Sequence, residues 1–270
     1  MLAQERQQAI LNILQENRSI KISDIVDRFE ISTLTARRDL DVLEARKLIR
    51  RVYGGAILEE PQGAVSLRDS SPDAPTEPER EKTVRVKAIA KAAAAMVKEY
   101  DTLFMGNGNT VWEIARRLKH FSHLTVITSS LLVINELAAT NNKIVVLGGI
   151  LGPGEPSIHG SDVLKMLNNY CADKSFTSCM GVCAEFGVTG DFTPTVEGGR
   201  IMIEKSAHPV LVCTSSKIGY HASDVVCPVS RLEAIITDDG ISEQQKEELE
   251  MAGTRVIVTS TKEKENAGNT

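Results

Sequence analysis

The stretch Ser-Thr-Leu-Thr-Ala-Arg-Arg-Asp-Leu at 32–40, followed by Leu-Ile-Arg-Arg-Val-Tyr-Gly-Gly-Ala at 48–56, decides the fold of the N-terminal part. Ser32 is a helix-capping residue type. Behind it Ala36, Leu40 and Leu43 recur at i, i+4, i+7 and make one apolar stripe of a helix running to about Ala45. Leu34 and Arg38 fall on the opposite side, with Thr35 and Arg37 on the flanks. The 48–56 stretch reads as two short strands around Gly54-Gly55, with Arg50, Arg51 and Tyr53 on the first strand and turn.

Working outward, residues 3–16 read as a helix with Ile10, Ile13 and Leu14 on its apolar stripe. Ser19–Ile22 is a short extended piece. Ser23 is placed to cap a second helix carrying Ile25, Val26 and Phe29. The sum is a winged helix-turn-helix over 1–58. Such a unit sets the start of its third helix in a DNA groove and its wing on phosphates. The candidate DNA contacts are Ser32, Thr33, Leu34, Thr35, Arg37, Arg38, Arg50, Arg51, Tyr53 and Gly54. Arg37 or Arg38 suits guanine, and Leu34 suits a thymine methyl. The alternative is a solvated basic face on a small bundle.

Net charge argues neither way until it is divided. The 270 residues carry −5 overall, yet residues 1–60 are balanced at 10 Lys/Arg against 10 Asp/Glu, and Arg37, Arg38, Arg46, Lys47, Arg50 and Arg51 crowd into 37–51. A local basic patch on an acidic body fits binding to DNA in one place. The five cysteines have no regular metal spacing and read as reduced, mostly buried thiols. No signal peptide and no apolar run of about 18 residues is present, so the expectation is a cytoplasmic protein.

Residues 59–79 read as a linker, with Pro61, Pro72, Pro75 and Pro78 among Ser, Asp and Glu. From 80 to 270 helices and apolar strands alternate. Strands are predicted at 102–106, 124–128, 143–148, 174–179, 209–214, 234–237 and 255–259, and helices at 80–98, 110–119, 130–139, 161–168, 195–206 and 242–251. Near-continuous apolar strands between helices imply a parallel sheet covered on both faces, the α/β class.

Several of these strands end in small polar sequence, where ligands of parallel sheets bind. Asn107, Gly108, Asn109 and Thr110 combine a permissive loop with a helix start that offers N–H groups to an anion. Ser129 and Ser130, Gly149, Gly181 and Lys217 follow other strands, and Lys217 adds a point charge. These nine residues are the candidate effector site. Each is an ordinary turn residue taken singly.

Ser-x-x-Thr-Ala-Arg-Arg-Asp-Leu-x-x-Leu-Glu at 32–44 and Leu-Ile-Arg-Arg-Val-Tyr-Gly-Gly-Ala at 48–56 resemble the DeoR family of bacterial sugar-metabolism regulators. The resemblance continues through Leu147-Gly148-Gly149, Asp173-Lys174-x-Phe176 and Ser216-Lys217-x-Gly219. It implies that helix 33–45 is the recognition helix, and operator binding as a dimer or tetramer. It also implies a sensor similar to ribose-5-phosphate isomerase and the CoA-transferases, and a phosphorylated sugar, sugar-alcohol or sugar-acid effector relieving repression of a carbohydrate-utilisation operon. No cofactor, metal or catalytic residue is implied.

The pocket end departs from the family pattern. Gly106 stands where the family usually has Asp, Thr214 where it commonly has Asp, and Thr195 and Gly199 where it usually has an acid and Lys, unless Glu197 and Arg200 take those places. Loss of carboxylates points to an effector more anionic than a plain sugar phosphate. The alternative function is a phosphosugar isomerase-like enzyme with a fused DNA-binding domain. That reaction needs a positioned base, and only Glu185, Asp191 and Glu197 are available near the strand ends. His120, His123, His159, His208 and His221 read as surface or isolated residues, and Trp112, just after the 106–110 loop, as a packing residue.

Overall fold

The computed structural model describes residues 3–17, 19–29, 31–45, 49–52, 55–58, 79–152 and 156–261. The chain divides into two compact units, Met1–Ser66 and Leu67–Thr270. All but Glu79 of the 59–79 linker lies outside the described residues, as do Tyr53 and Gly54.

In the first unit α1 (Ala3–Asn17), β1 (Ser19–Lys21), α2 (Ile22–Phe29) and α3 (Thr33–Ala45) precede the wing strands β2 (Ile49–Val52) and β3 (Gly55–Leu58). β3 pairs antiparallel with both β2 and β1, giving the order β1-β3-β2. α2 begins one residue before Ser23, so Ser23 lies in its first turn and is not its cap. Ile10, Leu14, Ile25, Ala36, Leu40, Leu43 and Ile49 are fully buried together. The stripe read from spacing is thus the core face of α3.

The second unit opens with α4 (Glu79–Ala94). The apolar pattern predicts this helix to 98, but its last turn tightens into i→i+3 bonds, Met96 N–H to Ala93 O and Val97 N–H to Ala94 O. Then follow β4 (Thr102–Met105), α5 (Asn109–Arg117), β5 (Thr125–Thr128), α6 (Leu131–Leu137) and β6 (Lys143–Val146). A small hairpin, β7 (Ile150–Leu151) with β8 (Ile158–His159), leads to α7 (Ser161–Leu167) and β9 (Ala172–Thr177). Next come β10 (Gly181–Cys183), β11 (Gly187–Gly190), α8 (Thr193–Glu204), β12 (Ser206–Val212), β13 (Asp224–Cys227), β14 (Ala234–Asp238), α9 (Glu243–Met251) and β15 (Arg255–Thr259).

Seven strands form one sheet in the order β15-β14-β12-β9-β4-β5-β6, with every neighbouring pair parallel. One core packs Ile89, Ala93, Val111, Ile114 and Val133 on Leu103, Met105, Phe176 and Val210. Another packs Val163, Leu167 and Met202 on Phe104 and Ile127. Burial on both faces is why the strands read as continuous apolar runs. β10, β11 and β13 make a separate antiparallel sheet that the apolar pattern does not reveal, since its strands are three or four residues long and rich in Gly and Thr.

Candidate functional site

Two sites stand out, one in each unit. In the first, Ser32 caps α3: its Oγ accepts from the Thr35 N–H at 3.2 Å and lies 2.9 Å from the Thr35 hydroxyl. Ser32, Thr33 and Leu34 are exposed, Leu34 by 61%, and Arg38 is exposed one turn on. Thr35 is half-buried, Arg37 lies in α3, and Arg50 and Arg51 lie on β2.

Asp39, beside these arginines in sequence, does not share their face. It is 4% exposed, accepts from Arg6 Nε at 2.6 Å and from Gln7 Nε2 at 3.0 Å, and ties α3 to α1. The bond to Asp39 raises the Arg6 pKa further above its ordinary value, with burial opposing. The pair neutralises Asp39 internally, so that carboxylate does not offset the positive charge of Arg38. In a sequence count Asp39 is merely an opposing charge. Its inward direction follows from its place next to Leu40 on the buried stripe.

In the second unit two adjoining cavities of about 210 and 170 Å³ open at the carboxyl ends of β4, β5 and β9. Asn107, Thr177, Ser178, Thr195 and Gly199 line both. The first adds Gly106, Ser129, His159 and Glu197; the second adds Gly108, Asn109, Ser130, Asp191 and Lys217. Gly108, at φ +109°, ends the loop and opens α5 without a side-chain cap bond. The first N–H groups of α5 therefore lack intrahelical acceptors and face an anion favourably. Lys217 Nζ donates to the Cys179 carbonyl at 2.7 Å, which leaves further donors of the ammonium group to a ligand.

The structure thus brings six of the nine candidate effector residues to the cavities, while Thr110, Gly149 and Gly181 line neither. Thr110 is buried in α5. Gly149 and Gly181 are glycines for steric reasons: a Cβ would come within 2.5 Å of the His159 carbonyl oxygen at the first and within 2.4 Å of the Tyr220 carbonyl oxygen at the second. Thr177 and His159 are cavity residues that the sequence reading leaves out. They come from β9 and β8, far along the chain from the 106–110 loop, and no local signal marks them. The His159 ring has its Nε2 2.8 Å from Ser157 Oγ and meets Phe192 edge-on.

Cys179 also lines the second cavity, next to Cys213 at the end of β12. The contact with Cys179 and burial push the Cys213 thiol well up. The hydrogen bond from Cys213, against burial and with help from Lys217, holds Cys179 down. Among the described residues no group of three His, Cys, Asp or Glu side chains could hold a metal, and no helix is long and apolar enough to cross a membrane.

Residues 81–239 match the model of the DeoR C terminal sensor domain, and residues 6–62 match the DeoR-like helix-turn-helix domain. The chain belongs to the DeoR family. It is a sequence-specific DNA-binding transcriptional regulator with an α/β sensor. An uncharacterised HTH-type transcriptional regulator of Bacillus subtilis is 31% identical over 93% of this chain and 94% of its own length. The putative aga operon transcriptional repressor of Escherichia coli O157:H7 is 28% identical over 94% and 93%. The lactose phosphotransferase system repressor of Staphylococcus epidermidis is 28% identical over 91% and 96%. Among solved structures, ribose 5-phosphate isomerase A of Methanocaldococcus jannaschii is similar over 51% of this chain and 54% of that one, with 15% identity and a TM-score of 0.38.

Proposed function

We propose that this DeoR-family regulator represses a carbohydrate-utilisation operon and leaves its operator when a phosphorylated carbohydrate fills the sensor cavities. The observation that carries the DNA end is the exposed Leu34–Arg38 face of α3, from which Asp39 is withdrawn into its bond with Arg6. On this reading Ser32, Thr33, Leu34, Thr35, Arg37 and Arg38 meet the groove, and Arg50, Arg51, Tyr53 and Gly54 meet phosphates. The relatives' printed functions, repression of an aga operon and of a lactose phosphotransferase system, support the carbohydrate assignment.

At the sensor end the ligand's phosphate lies at the start of α5 with Lys217, and Asn107, Gly108, Asn109, Ser129 and Ser130 surround the rest. The working form is a cytoplasmic dimer or tetramer, because two recognition helices on one duplex read two half-sites. Residues 1–58 are the DNA-binding domain, 59–79 the linker and 80–270 the sensor. The ligand acts by binding the two states of the regulator unequally.

The protein is a regulator and not an isomerase. Gly106 and Thr214 occupy strand ends where a base would serve, and the nearby carboxylates Asp191 and Glu197 are exposed. DNase footprinting of the full chain on the DNA upstream of its own gene, followed by titration with sugar phosphates, tests the proposal. A protected site that a sugar phosphate releases is the expected result. Turnover of ribose 5-phosphate or a hexose phosphate would replace the reading with the enzymatic one.

A further inference from the structure

The two cavities differ in what they offer a ligand. Lys217 and the open start of α5 belong to the second. The first contains Glu197, and its other ionisable side chain is His159, whose Nε2 is held by Ser157. Arg200 follows Glu197 in α8 by three residues and would offset that carboxylate if it turned inward. It does not line either cavity. Its Nε donates to the Val226 carbonyl at 3.1 Å and its Nη2 to the Val225 carbonyl, both on β13. Glu197 therefore faces the first cavity without a guanidinium beside it. A carboxylate ligand placed there would meet like charge.

Two buried polar atoms lie where the cavities join. Thr177, 5% exposed at the end of β9, has its Oγ1 without a partner among the described residues, and so has Asn107 Oδ1. Both side chains line both cavities. Buried polar atoms without partners are uncommon and costly, and a ligand that satisfies them gains what their burial loses. An amide oxygen needs a donor. A hydroxyl satisfies Thr177 in either sense. An alcohol group supplies both, whereas an ionised carboxylate has no proton to give Asn107. Gly106, beside them, has no side chain to fill this space, and a Cβ there would find its nearest neighbour at 3.4 Å, ordinary contact.

We propose that the ligand lies across both cavities with its phosphate at α5 and Lys217 and its uncharged hydroxylated chain against Asn107, Thr177 and Glu197, so that this regulator selects phosphorylated sugars or alditols over phosphorylated sugar acids. The proposal rests on the reading of these cavities as the effector site. It reverses the expectation drawn from Gly106 and Thr214 alone, because Glu197 restores a carboxylate from another element. Thr177 and Glu197 are then the residues that set specificity, and the phosphate contacts are common to all members of the class.

The test is calorimetry on the full-length protein with matched probes: pentitol and hexitol phosphates and aldose phosphates, the corresponding aldonic acid phosphates, and inorganic phosphate. At least one alditol or aldose phosphate binds about tenfold or more tightly than its acid counterpart, the size of a lost buried hydrogen bond plus charge repulsion. Thr177→Val weakens that probe by roughly tenfold and leaves inorganic phosphate unchanged. Glu197→Gln narrows the gap by improving the acid. An acid that binds as tightly as its alcohol counterpart to the native protein overturns the inference and leaves the effector site standing. Unchanged alditol or aldose affinity in Thr177→Val removes Thr177 from the specificity role. If no phosphorylated probe binds, or if Lys217→Gln alters none of them, the effector-site reading fails and the inference with it. The native comparison decides selectivity even if a variant does not fold.

Discussion

The guanidinium of Arg85 stands 3.5 Å from the carboxylate of Asp238, joining the first helix of the sensor to the end of a central strand. Asp238 is completely buried and also accepts from the Ser215 N–H at 2.8 Å, the Ser215 hydroxyl at 2.7 Å and the Gly240 N–H at 3.1 Å. Arg85 in turn donates to Ser215 Oγ at 3.3 Å. Ser215 lies two residues before Lys217, so one buried carboxylate fixes the loop that carries the cavity's cation.

Asp238→Ala removes the common acceptor of three donors and leaves them buried. The expected loss is about 3 kcal/mol of unfolding free energy. Asp238→Asn keeps one acceptor oxygen and loses less. Arg85→Ala costs about 1 kcal/mol, because the Arg85 side chain is 28% exposed and solvent replaces part of the interaction. Urea unfolding of the three variants checks the order. Equal losses would mean that the ion pair, and not the backbone donors, dominates.

At the DNA end, Arg38→Ala weakens operator binding by roughly 1–3 kcal/mol and relaxes preference at one base position. Arg51→Ala, on the wing strand β2, weakens all sequences alike and lowers the salt slope by about one unit. Gel-shift titrations at several salt concentrations separate the two. Ser32→Ala acts differently. It removes the cap of α3 and costs about 1 kcal/mol of stability in the first unit, seen as a lowered melting temperature.

The two ends of the molecule were unequally legible. α3 could be bounded from sequence because Ser32, the Ala36–Leu40–Leu43 stripe and the basic flank are local, and the helix runs from Thr33 to Ala45. The parallel sheet was legible because burial on both faces makes each strand an apolar run. The cavity was only half legible. Loop residues such as Asn107 and Gly108 announce a strand end, but Thr177 joins them only because β9 pairs with β4, a fact of topology that no local pattern carries. The same holds for Gly181, whose missing side chain answers to Tyr220 and not to a ligand.

Glu136 gives the sensor a defined acid response. Burial works against its ionisation, but hydrogen bonds from Lys119 and Trp112 prevail and its pKa lies below the usual 4.5. The Trp112 indole N–H reaches Glu136 Oε2 at 3.0 Å, linking α5 to α6. A carboxyl whose pKa is lowered by folding stabilises the fold above its unfolded value and loses that contribution as pH falls through the folded value. Glu136→Gln therefore costs about 1 kcal/mol at pH 7, a figure held down by the half-exposed Lys119, and the gap to the native protein closes below about pH 4. Trp112 is the only tryptophan, so its emission follows the same titration. A gap independent of pH would place the effect in packing.

The thiols order themselves by exposure and environment. Cys171 is exposed and reacts first with iodoacetamide at pH 7.5. Cys227 is buried, and burial pushes its pKa up to about 11, so it reacts last together with Cys213, whose thiol is raised by Cys179 and by burial. Cys179 falls between them. Cys213 and Lys217 favour its thiolate, but it is 8% exposed and reachable only through the second cavity that it lines. A sugar phosphate seated there slows alkylation of Cys179 and leaves the rate at Cys171 unchanged, as peptide mass spectrometry over a time course would record. Protection of both cysteines alike would mean that the ligand tightens the whole unit; protection of neither would place the ligand elsewhere.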